Sequence, residues 1–216
     1  DVLRENNYFK RFKKLPELIT LSDYHTKALE KNFGIVPLTT IPWGIENLQN
    51  TEETRPIDLI GVGNLTQLKL FSRMVYVVSE LKKTIPNIKA VIVGEGPQEN
   101  ELKSLAIKLD VEDNIDFTGV LSREDTLDKM CQSKCLLHCS SFESFGLVSI
   151  EALALGLKVF STPVGIAPEL DAVVTYRMNK QLVPELQSFL KDKLLQKPSR
   201  PYKVEETVER YLKEVF

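Results

Sequence analysis

Two acidic residues eight positions apart, Glu143 and Glu151, stand at the mouth of and within an otherwise almost wholly apolar run, Phe145 to Leu155. A carboxylate in such a run is costly to desolvate unless something satisfies it, either a neighbouring Lys or Arg or a ligand. The run follows a β-rich segment, Cys135 to Cys139. Read as strand then helix, it aims the helix's free N–H groups, near Ser144 to Gly146, into the space beyond the strand, where they can hold a phosphate or a sugar hydroxyl. Glu151 then lies about two turns in, with Glu143 at the opening. Two acceptors flanking a ring of donors suit a polyhydroxylated, phosphorylated ligand.

Glycines cluster where the other strand-like runs end: Gly61-Val62-Gly63-Asn64, Gly94-Glu95-Gly96-Pro97 and Thr118-Gly119. Glycine lets backbone N–H groups approach a ligand, although a tight turn into a helix needs it equally. The remaining chemistry-bearing types point to structure. His138 lies within a strand and His25 near a helix start, with no acidic cluster at ligand spacing, so no metal is expected. Cys131, Cys135 and Cys139 match no CxxC motif and read as buried, reduced thiols. Trp43 reads as a residue of a domain junction.

The elements that must position these residues follow from periodicity. Strands are expected at Ile57 to Val62, Ile88 to Val93, Asn114 to Phe117, Cys135 to Cys139 and Leu157 to Ser161; continuous apolar runs such as Ala90 to Val93 suit strands covered on both faces. Leu70, Met74, Val77, Val78 and Leu81 mark one amphipathic helix, and Leu102, Leu105, Ala106 and Leu109 a second. A third runs from about Ser122, as N-cap, to Ser133. Alternating strands and helices give an α/β fold, a doubly wound parallel sheet. Residues 1–50 hold a β-α-β fragment, Glu17 to Leu21, a helix from Ser22, and Leu38 to Ile41, too little to cover two faces of a sheet. The chain is divided into this remnant of another domain, a ligand-binding domain at 51–196, and a linker with a final amphipathic helix at 197–216.

Composition narrows the function. The 216 residues are 43% hydrophobic, with 28 basic and 30 acidic side chains and a net charge of −2, so no global field draws in nucleic acid or an anionic membrane. The apolar stretch Phe145 to Leu157 is too short to span a bilayer. Asp1 to Arg11 lacks the apolar core of a signal peptide, which suggests a cytoplasmic location. Lys10, Arg11, Lys13 and Lys14 read as a solvated helix face, with peripheral contact at the inner face of the membrane as the alternative.

The stretch Phe142 to Ala152 resembles the two-glutamate signature of retaining glycosyltransferases of family 4, which have the GT-B architecture. Val91 to Pro97, Phe117 to Val120 and Thr162 to Glu169 are similar to that family's other strand ends, in its order and spacing, and Ile41 to Ile45 to its interdomain hinge. The resemblance covers Leu18 to Val215. It implies a Rossmann-like, C-terminal half of GT-B with a C-terminal crossover helix, binding a nucleoside-diphosphate sugar such as a UDP or GDP sugar. Glu151 would accept the ribose hydroxyls. Glu143, with the backbone of Phe145 and Gly146, would hold the donor sugar, and Lys69 would neutralise the diphosphate, so Glu143 and Lys69 take the catalytic roles. Gly63, Asn64, Gly94, Glu95, Gly96, Val120, Ser144 and Leu147 complete the implied donor site. Asn64 departs from the pattern, standing where the family's arginine is usual and bringing no charge to the leaving group. No cofactor is implied.

Three functions remain open on these residues. The first is donor binding for hexosyl transfer to a glycan or lipid acceptor, as in polysaccharide biosynthesis, with little transfer expected without the rest of the N-terminal domain. The second is a non-catalytic nucleotide-sugar-binding or partner-docking module. The third is an isomerase or epimerase on a similar scaffold.

Overall fold

The computed structural model describes residues 17–50, 52, 54–192 and 196–216; the basic group at Lys10 to Lys14 lies outside them. Six strands form one all-parallel sheet: β3 (Ile57–Val62), β4 (Ala90–Val93), β5 (Ile115–Gly119), β6 (Ser133–His138), β7 (Lys158–Ser161) and β8 (Val173–Thr175). Their order is β5-β4-β3-β6-β7-β8. The chain builds outward from β3 to one edge, then returns to the centre to add β6 on the other side. Leu59 and Ile60 of β3 pair with Ala90 and Val91 of β4 and with Cys135 and Leu136 of β6. β3 and β6 are therefore neighbours whose outgoing chains part to opposite faces, which opens a crevice beyond their carboxyl ends.

The apolar strands are covered on both sides, as their continuous runs require. Leu59, Ala90, Ile92, Cys135 and Leu137 point to one face, where α2 (Phe71–Lys82), α3 (Glu99–Lys108) and α6 (Asn179–Asp192) pack. Ile60, Val91, Val93, Leu136 and Val159 point to the other, under α4 (Arg123–Cys131) and α5 (Leu147–Ala154). The period of two divides each strand between two cores. Cys131, Cys135 and Cys139 are buried and unpaired by disulfides, and burial pushes the Cys139 thiol up to about 11.

The expected strands and helices form with ends shifted by a few residues, and Ser122 caps α4 by accepting the Asp125 N–H. The periodicity read from sequence does not extend to β8 or α6. β8 has three residues, and Pro184 interrupts the helical pattern of α6 after its first turn, where it removes a backbone donor.

The N-terminal fragment is the expected β-α-β unit in shorter form. β1 (Ile19–Thr20) and β2 (Thr39–Thr40) pair in parallel in a separate two-stranded sheet, joined by α1 (Asp23–Phe33). It is tied to α7 (Val204–Glu214): the Thr39 hydroxyl donates to Glu214, the Gly44 N–H donates to Thr207, and Ile45 bridges Lys203. A Cβ on Gly44 would lie 2.0 Å from the Lys203 carbonyl carbon, so the two segments cross only because this residue has no side chain. No helix among the described residues is long and apolar enough to cross a membrane.

Candidate functional site

The loops leaving β3, β4 and β5 are fastened to one another by their backbones. Gly63 N–H donates to the Val93 carbonyl, Gly94 N–H to Gly119, and Leu65 N–H to Glu95, at 2.8 to 3.0 Å. Gly94 has φ 132°, and a Cβ there would meet the Gly63 carbonyl oxygen at 2.2 Å. The N–H donors expected to face a ligand at Gly63 and Gly94 are thus engaged inside the rim. These glycines let three loops close up beneath the crevice. Asn64, Glu95 and Val120 are exposed along its edge.

At the end of β6 a polar cluster forms around one oxygen of Glu143. Oε1 accepts from Lys69 Nζ at 2.5 Å, from Ser140 Oγ at 2.7 Å and from His138 Nε2 at 2.9 Å. Behind it, His138 Nδ1 lies 2.9 Å from Ser161 Oγ on β7, and the Tyr176 hydroxyl donates to the His138 carbonyl. Lys69 is brought opposite by its own loop: the Ser141 N–H and hydroxyl both donate to the Leu68 carbonyl. Leu70, at φ 49°, then turns the chain into α2 in a left-handed conformation that costs a non-glycine residue about 1 kcal/mol. Burial alone would push the Glu143 carboxyl up, but hydrogen bonds from His138, Lys69 and Ser140 outweigh it and hold the group at about 2. His138, read from sequence as structural, is the buried support that aims Glu143; its signal was a polar residue inside an otherwise apolar strand.

α5 begins at Leu147, two residues later than its apolar run suggested. Gly146 caps it at φ 93° with no side-chain hydrogen bond; the Ser149 N–H turns back to the Gly146 carbonyl, while the N–H groups of Leu147 and Val148 meet no acceptor among the described residues and stand open at the crevice. Phe145 is buried, edge-on to Trp43 and tilted against Tyr202, so its side chain anchors the loop rather than lining the opening. Ser144 is exposed. One turn beyond the first, Glu151 lies at the edge of the helix with its side chain 12% exposed, and its Oε1 accepts from Arg123 Nη1 at 2.7 Å. Sequence reasoning allowed for a basic partner without naming it. Arg123 is the first residue of α4, on the rim, and its side chain is 64% exposed. The second oxygen of each glutamate, Oε2, meets no protein donor among the described residues and reaches solvent. Among those residues no three His, Cys, Asp or Glu side chains gather as a metal site.

The carboxylate pair, the lysine and an open helix N-terminus thus converge at the switch point of a Rossmann-order sheet. This is the architecture of the C-terminal half of GT-B glycosyltransferases. The solved structure of Anabaena Alr3699/HepE in complex with UDP-glucose superposes with a TM-score of 0.80 at 18% identity, covering 98% of this chain and 66% of that one. Residues 46–201 match the family Glycosyl transferases group 1, and the chain belongs to that family. It is 27% identical over 143 residues to the gpi3 subunit of phosphatidylinositol N-acetylglucosaminyltransferase of Schizosaccharomyces pombe, a match covering 65% of this chain and 31% of that protein. It is 26% identical over 209 residues to the GtfA subunit of the UDP-N-acetylglucosamine–peptide N-acetylglucosaminyltransferase of Streptococcus pneumoniae, covering 91% of this chain and 40% of that one. The chain spans less than half the length of either relative.

Proposed function

We propose that the chain is the donor-binding half of a retaining glycosyltransferase that moves a hexose from a nucleoside-diphosphate sugar to a glycan or lipid acceptor. The observation that carries this is the placement of Glu143 and Glu151 on either side of the open N-terminus of α5, each with one oxygen held by protein and one free. In this reading Glu151 accepts the ribose hydroxyls and the free oxygen of Glu143 accepts a sugar hydroxyl. The first-turn N–H groups of α5 and the Lys69 ammonium receive the diphosphate, stabilising negative charge as it develops on the leaving group. The leaving phosphate can assist attack on the same face of the sugar, so no separate protein base is assigned.

Support comes from the neighbours. The Anabaena structure holds UDP-glucose, and the relatives' names cover a phosphatidylinositol and a peptide acceptor, both N-acetylglucosaminyl transfers. An N-terminal domain opposite this one would supply the acceptor side. Calorimetry with UDP, GDP and ADP tests donor binding: one of them should bind, and Glu151→Gln should weaken it by about tenfold, the worth of a hydrogen bond to a charged group. No heat with any of the three at millimolar concentration overturns the reading, and unchanged affinity in the variant removes Glu151 from the site.

One observation favours a second reading. Asn64 is exposed and uncharged where the family's arginine is usual, which suits a non-catalytic nucleotide-sugar-binding or docking module. Joined to an N-terminal half, the chain should transfer sugar under the first reading and bind without transfer under the second.

A further inference from the structure

Arg123 is 64% exposed, yet the carboxylate it grips is only 12% exposed. Exposed ion pairs contribute roughly 0 to 1 kcal/mol to folding, so stability alone gives little reason for this one. Its geometry has a sharper effect on the carboxylate. A guanidinium N–H on Oε1 at 2.7 Å restrains the rotation of the Glu151 carboxylate, so that the remaining lone pair of Oε1 and the two on Oε2 hold a set direction. Arg123 can do this because α4 and α5 lie side by side on one face of the sheet, with Arg123 at the start of α4, just beyond β5. It also cancels a negative charge that would otherwise stand close to an anionic diphosphate and repel it.

We infer that Arg123 is a positioning residue for ribose recognition: it orients Glu151 so that the carboxylate accepts both hydroxyls of a vicinal diol, and thereby selects ribonucleotides over 2′-deoxyribonucleotides. The inference rests on the donor-site reading above and adds a residue and a selectivity to it. Arg123 touches the ribose only through Glu151. A lysine at 123 keeps the charge but offers a compact, freely rotating ammonium in place of a planar fork, and so orients the carboxylate less well.

The test is calorimetry with UDP and 2′-deoxy-UDP on the wild-type chain and on Arg123→Ala, Arg123→Lys and Glu151→Gln, with thermal melting to confirm that each variant is folded. The wild type should prefer UDP by on the order of tenfold or more, the worth of one hydrogen bond to a charged acceptor. Arg123→Ala should reduce that preference to about threefold or less while melting close to the wild type, Arg123→Lys should lie between, and Glu151→Gln should abolish it. A full UDP preference in Arg123→Ala, beside its loss in Glu151→Gln, overturns the role of Arg123 and leaves the donor site standing. Equal affinity of the wild type for the two nucleotides overturns the ribose selectivity itself. If GDP or ADP binds in place of UDP, that nucleotide and its 2′-deoxy form make the same comparison; absence of binding of all three to the wild type removes the donor-site reading, and the inference with it.

Discussion

Glu143→Gln isolates the charge at the centre of the rim cluster, because glutamine can still place a carbonyl oxygen before Lys69, Ser140 and His138. In the wild type these donors hold the carboxyl at about 2, well below its ordinary 4.5. A carboxyl depressed on folding stabilises the native state while it is ionised in both states, and that contribution fades as pH falls from the unfolded value toward the folded one. Each pH unit of depression corresponds to about 1.4 kcal/mol, and discounting for solvent screening at an open rim leaves about 1 to 2 kcal/mol near neutral pH. Urea unfolding of both proteins at pH 7, 5, 4 and 3 reads the difference directly. The gap should be constant above about pH 5 and shrink steadily below 4.5. In a chain of this size the neutral-pH difference amounts to about 2–4 °C of melting temperature per kcal/mol. Equal stability at pH 7, or a gap unchanged down to pH 3, would refute the argument that ionised Glu143 is stabilised by these three donors.

Two other substitutions probe the rim. Gly94→Ala forces a Cβ to within 2.2 Å of the Gly63 carbonyl in a conformation disfavoured for alanine; a loss of about 3 kcal/mol is expected in urea unfolding, with weakened nucleotide binding as the loops part. Asn64→Arg places a guanidinium on an exposed edge of the crevice and should raise affinity for UDP several-fold at low salt, the gain shrinking as ionic strength rises. A gain independent of salt would show that the effect is not electrostatic.

The alternation of apolar runs with 3.6-period segments determined the class of fold, because a strand buried on both faces and a helix buried on one leave different spacings of apolar residues. Ile57–Val62 could be read to the residue for that reason, and Ser122 could be read as a cap from its own hydroxyl and position. Elements with few residues or with a proline in the wrong place, β8 and α6, left no such spacing. The glutamate pair was legible because a charge in an apolar run is conspicuous; Arg123 and Ser140 were not, since an arginine at a helix start and a serine just after a strand are both ordinary in sequence.

What the sequence by itself determined was therefore which side chains are anomalous for their local setting. The tertiary structure decided what meets them. Lys69 reaches Glu143 across 74 positions, and Arg123 reaches Glu151 across 28, because strand order sets which loops share a rim. It also brought the Gly94 backbone against the Gly63 carbonyl, a close approach of two loops that spacing along the chain does not report. Local periodicity reports which face of an element is buried, whereas contacts between distant segments depend on which strands become neighbours, a choice made by the packing of the whole sheet.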